Sequence, residues 1–177
     1  MERDKIKMIQ LIIGNLVAFI ASLILVYVGY IKDKKKILYM QTIQIGLFVV
    51  SNLILGGIAG AIINAISCIR NILCYKDKLG TKEKVIITIL SAIFTVQFNN
   101  IGLFGYLPLV STILYLWTMN TKDIIKFKKI LIITLVLWFI YDASIKSYTS
   151  VIFDLASIVA NYVSIKQIRV KKSKSNS

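Results

Sequence analysis

The sequence predicts an all-α integral membrane protein in which seven transmembrane helices form two parallel three-helix repeats joined by a connector helix. Three observations predict it. First, 57% of the 177 residues are apolar and only 17% charged, with mean hydropathy +0.76, whereas a soluble domain carries roughly 25% charged residues. Second, the 22 Lys and Arg gather in short clusters between apolar runs. Third, the chain aligns with itself, without a gap, at an offset of 90 residues.

The apolar runs cover 8–30, 37–55, 58–75, 85–98, 101–119, 127–141 and 151–165. A bilayer core asks for about 20 helical residues, so the fourth and sixth runs are short. Lys82 and Lys84 before the fourth and Lys126, Lys128 and Lys129 around the sixth extend them, because lysine stems snorkel to the head groups. The first run follows Arg3, Lys5 and Lys7, as a signal peptide would. It is too long for one, and a lysine cluster follows it in place of a small-residue cleavage site, so it is expected to remain as a span.

Loop charge fixes the count, since each span moves all later loops to the other side. With seven spans, Lys32 to Lys36, Lys76 to Lys84, Lys122 to Lys129 and Lys166 to Lys174 share one side and hold 17 of the 22 basic residues. Arg3, Lys5, Lys7 and Lys146 take the other side, and Arg70 lies inside the third span. Removing the fourth span leaves nine against twelve. Cytoplasmic loops are the basic ones, so the amino terminus is expected outside and the carboxyl terminus in the cytoplasm, in a bacterial inner membrane.

The self-alignment divides the chain into a first repeat (8–76), a connector helix (83–98), a second repeat (101–168) and a basic cytoplasmic tail (169–177). The tail is expected to be disordered and to meet anionic lipid. Lys32, Asp33 and Asn71 fall on Lys122, Asp123 and Asn161, while Asn52 falls on Asp142 and Asn64 on Asp154. Three spans and a connector separate the halves, so both enter the bilayer in the same direction.

Several chemistries are excluded or disfavoured. The chain has no His, and both its cysteines, Cys68 and Cys74, lie in one apolar run, which removes Ser-His triads, zinc sites and a disulfide framework. No cofactor or metal is expected, nor enzymatic activity. The +14 net charge lies in loops rather than along one soluble face, which argues against nucleic acid as a partner.

The polar residues inside the spans remain as candidates. Asn64, Ser67, Asn71 and Tyr75 share one face of the third helix, and Asp154, Ser157, Asn161 and Ser164 repeat the pattern in the seventh. Two matching stripes are expected to line a central site, because polar groups facing lipid lack partners. The competing reading has them joining helices by hydrogen bonds, and it is favoured for the serines. Asn64, Asn71, Asp154 and Asn161 are the expected solute ligands, with Asp154 foremost as an intramembrane carboxylate. Asn52 and Asp142, near the outer span ends, either flank an outer gate or cap helices. Pro108 is the expected hinge of the fifth span. Arg70 is expected to snorkel, and Trp117 and Trp138, with Tyr39, Tyr141 and Tyr148, fit interfacial belts or packing. The small residues from Gly56 to Ala61 suit close packing within the chain or with a second copy.

The segments GAIINAISCIRNILCYK (60–76), Leu107-Pro108 and LWFIYDASIKSYTSVIFDLASIVANYVSIKQIR (137–169) resemble the YgjV-type bacterial inner-membrane protein family. The family pattern maps onto Asn64, Arg70, Trp138, Tyr141, Asp142, Asp154 and Asn161, with Asp142 standing where the family has an amide. The three, one, three arrangement also looks like the SWEET sugar facilitators and the nicotinamide riboside transporters of the PnuC type. That likeness implies substrate-binding asparagines on the third helix of each repeat, at Asn64 or Asn71 and at Asp154 or Asn161. The tryptophan-rich motif of the riboside transporters and the paired proline of the sugar facilitators are missing. The function expected is a small transporter or facilitator for a polar solute, with the lipid bilayer as its setting; the alternative is a non-transporting subunit or scaffold.

Overall fold

The computed structural model describes residues 2–54, 58–99, 102–144 and 148–175. Among them are seven α-helices: α1 (Glu2–Tyr30), α2 (Lys34–Ile54), α3 (Ile58–Tyr75), α4 (Thr81–Phe98), α5 (Leu107–Thr118), α6 (Ile124–Ser144) and α7 (Tyr148–Ser175), with a 3-10 helix at Gly102–Tyr106. Each helix packs on its neighbours in sequence and α7 returns to α1. The result is a closed ring.

Short polar signals start and stop the helices. Asp33 caps α2, its Oδ1 accepting from Lys36 N at 2.8 Å, and Asp123 caps α6 by accepting from Ile125 N at 2.8 Å. A carboxylate at this position satisfies an amide that the helix leaves free. Helix α3 ends with Asp77 in the left-handed region (φ 56). There Lys78 N donates to Leu73 O at 2.8 Å and Asp77 N to Cys74 O at 3.1 Å, the paired closure of a Schellman motif.

One expectation about elements, the lengthening of the short runs, is met, and two change. The short fourth and sixth runs become helices of 18 and 21 residues by recruiting lysine-bearing first turns. The fifth run is a 3-10 helix followed by an α-helix of only 12 residues, with Pro108 in its first turn. Proline fits there because first-turn N–H groups have no intrahelical partner, so Pro108 begins α5 and does not kink a continuous span. The basic tail, expected to be disordered, continues α7 as helix to Ser175.

Burial is arranged for lipid outside and polar groups inside. Ile12, Leu16, Val96 and Ile152 are each at least 60% exposed, while Gln41, Gln44, Ser67, Arg70, Ser111 and Asp154 are buried. A water-soluble fold avoids apolar faces on this scale. Helices Ile6–Tyr30, Lys34–Ile54 and Thr149–Lys171 are long and apolar enough to cross a membrane, and Ala61–Tyr75 and Gly102–Thr118 are shorter apolar helices. The apolar core (Val28, Ile37, Leu38, Leu116, Met119 and Phe127 among others) fills the ring at the end bearing the lysine clusters. Gly56 and Gly57, and Lys146, lie outside the described residues.

Among the described residues a close helix approach occurs at Gly29. A Cβ there would lie 2.5 Å from Ala160 Cβ and 3.2 Å from Asn161 N. Only a glycine lets α1 and α7 meet at this distance, so this residue closes the ring.

Candidate functional site

Next to the apolar core, the ring encloses a cavity of about 420 Å³ to which all seven helices contribute side chains. Its volume falls within the roughly 300–1,000 Å³ of small-molecule sites. Of the residues singled out in the sequence, Asn52, Asn64, Pro108, Asp142, Asp154 and Asn161 line it, and Asn71 does not.

Asp142 on α6 and Asp154 on α7 form an acidic pair that lines the cavity, each carboxyl group acting on the other. Asp154 is buried, and its Oδ2 meets no N–H or hydroxyl donor among the described residues. Adjacent carboxylates repel unless a proton or a cation lies between them. Trp138 and Tyr141, expected in an interfacial belt or in packing, also line the cavity, their rings packed edge to face at 5.7 Å.

Arg70 departs most from its expected position. It is only 5% exposed and does not snorkel; it lines the cavity, its Cζ lying 4.7 Å from the centre of the Tyr115 ring. Nε donates to Asn71 Oδ1 at 3.2 Å. Tyr115 is held in turn, its hydroxyl donating to Gln41 Oε1 at 2.6 Å. Withdrawing an ion from water costs on the order of several kcal/mol even after relaxation. The stacking on Tyr115 offsets part of that cost.

Asn71 is therefore a positioning residue for Arg70 rather than a cavity ligand; it is fully buried and its Nδ2 has no partner among the described residues. Asn161 touches the cavity, but both ends of its amide are engaged. Nδ2 donates to Ser157 O at 2.9 Å and Oδ1 accepts from Lys128 Nζ at 3.2 Å. Lys128 is fully buried and also donates to Gly29 O at 2.8 Å. The α3 stripe splits as well, since Asn64 and Ser67 face the cavity while Tyr75 is exposed beside Tyr39. Ser157 bonds within its own helix to Phe153 O at 2.7 Å.

Sequence reasoning missed Gln41, Gln44, Ser111, Tyr115 and Thr134 as cavity residues. The signal for Gln41 and Gln44 was present, two amides one turn apart in an apolar run. Among the described residues no group of three or more Cys, Asp or Glu is arranged to hold a metal ion.

Apolar helix faces around a cavity that carries amides, carboxyls and a guanidinium define an α-helical membrane protein with a polar interior. The chain belongs to the Imp-YgjV family of bacterial inner membrane proteins, whose family model matches residues 12–172. No curated protein and no solved structure matches it.

Proposed function

We propose that the protein is a small transporter or facilitator that carries a polar, low-molecular-weight solute by alternating access of two three-helix bundles, α1–α3 and α5–α7, with α4 as connector. The observation that carries this reading is the closed ring of helices around a cavity of about 420 Å³ lined by buried polar and charged side chains. Such groups are costly inside a membrane and are retained where a solute or ion uses them.

The two-bundle reading is supported by the equivalent placing of α2 and α6, each packed between the other two helices of its triplet. The matching caps Asp33 and Asp123, 90 residues apart, add to it. The positive-inside bias puts the amino terminus outside, the carboxyl terminus in the cytoplasm and the apolar core on the cytoplasmic side of the cavity. Asn52 and Asp142 then stand toward the outer mouth as its gate, Asn64 and Asp154 contact the solute, and the 3-10 to α5 junction at Pro108 serves as the hinge. Asn71 and Asn161 act by holding neighbouring groups. That structural use of two amides also favours a second reading, a non-transporting membrane subunit whose polar groups only join helices.

The test is thermal unfolding of the purified protein against vitamins, nucleosides, sugars and organic acids, followed by uptake of any stabilising solute into proteoliposomes. Wild-type uptake that is lost in a folded Asn64→Ala, Asp154→Ala double variant is the expected result. Stabilising solutes that never enter, or uptake indifferent to both substitutions, would overturn the reading.

A further inference from the structure

Among the described residues Arg70 is a buried charge without a counter-ion. Among the described residues no carboxylate pairs with it, and its one hydrogen bond leaves through Nε toward Asn71. The two terminal nitrogens of the guanidinium therefore have no acceptor among the described residues, although the residue lines the cavity and is 95% buried. Tyr115 covers one face of the group, and Asn71 fixes its rotation from behind.

Further donors line the same cavity. Asn64 and Ser67, on the same helix as Arg70, line the cavity and make no hydrogen bond to other described residues. Gln41, which also lines the cavity, uses its oxygen to hold Tyr115, and its amide N–H groups have no acceptor among the described residues. A planar fork of N–H groups with further donors around it matches the two oxygens of a carboxylate or phosphate.

We infer that the cavity binds an oxyanion, the solute's carboxylate or phosphate group, against Arg70, with Gln41, Asn64 and Ser67 as supporting donors and Asn71 and Tyr115 orienting the guanidinium. The inference rests on the transport reading for its physiological sense, but the site stands as a binding site without it. The Asp142–Asp154 pair lines the same cavity and disfavours oxyanions near it, so the solute is oriented with its anionic end at Arg70.

The test uses the detergent-purified full chain at constant ionic strength, with lactate, succinate and glycerol phosphate as probes and lactamide and glycerol as their neutral counterparts. At least one acid is expected to raise the unfolding temperature while its neutral counterpart does not. Stabilisation by succinate or lactate alone assigns the group as a carboxylate, and by glycerol phosphate alone as a phosphate. Arg70→Lys, which keeps the charge and loses the fork, should weaken binding about tenfold, and Arg70→Gln should abolish it. If Arg70→Gln does not fold, Arg70→Lys still decides the matter. Equal binding by wild type and Arg70→Lys, stabilisation by neutral solutes alone, or no stabilisation by any acid overturns the inference. Uptake of a neutral solute that ignores Arg70→Lys overturns the oxyanion site and leaves the transport reading standing. Arg70-dependent binding without uptake does the reverse.

Discussion

Lys128 Nζ donates to Asn161 Oδ1 at 3.2 Å and, with a second hydrogen, to Gly29 O at 2.8 Å. One ammonium thereby joins α6, α7 and α1, the elements through which the second triplet of helices meets the first. Hydrogen bonds to a charged group are the stronger kind. Lys128→Met should cost about 1–3 kcal/mol, since it leaves two acceptors unmet in a buried site. Equilibrium unfolding in mixed micelles measures the loss. In a double-mutant cycle with Asn161→Leu the two effects should be less than additive.

Gly29 gives a sharper expectation because the obstruction is geometric. Gly29→Ala places its Cβ against Ala160, and overpacking of this kind costs about 1–3 kcal/mol. Adding Ala160→Gly should restore most of the stability. Gly46→Ala is the control, because nothing lies within 4 Å of the added Cβ, and a mid-helix alanine there should be neutral or stabilising by up to about 1 kcal/mol. Melting temperatures of the four proteins decide it.

Tyr115→Phe removes the 2.6 Å hydrogen bond to Gln41 but keeps the ring under Arg70. A fall in stability of about 1 kcal/mol is expected, with a larger fall for Tyr115→Ala, which also removes the cation–π contact. Circular dichroism melts of both variants separate the two contributions.

Topology is tested with single cysteines at Glu2 and Ser173 after replacement of Cys68 and Cys74. Intact spheroplasts and an impermeant maleimide should label Glu2→Cys only, with Ser173→Cys reacting after lysis. Labelling of both from outside would refute an odd number of crossings.

The acidic pair should behave as a unit. If Asp142 and Asp154 share one proton or cation, Asp154→Asn and Asp142→Asn each retain a hydrogen-bonded pair and should fold, with melting temperatures close to wild type. Asp154→Leu strands Asp142 without its partner and should destabilise by about 2 kcal/mol or more.

Local sequence signals suffice to place the helices, the charged loops and the polar groups among the apolar runs. Those are local quantities: an apolar run, a capping Asp33 or Asp123 and a lysine cluster act on their own neighbourhood. Helix periodicity even placed Asn64 and Asp154 correctly on the cavity. The tertiary structure alone decided which polar group serves a cavity and which serves another helix. Asn71 and Asn161 share their stripes with Asn64 and Asp154, yet Arg70 and Lys128 occupy their oxygens. The Lys128 to Gly29 bond spans 99 positions and the Tyr115 to Gln41 bond spans 74. Periodicity carries no information over that separation. A polar side chain's role depends on whether a partner from a distant helix reaches it before water or a solute does, and only the closed ring settles that.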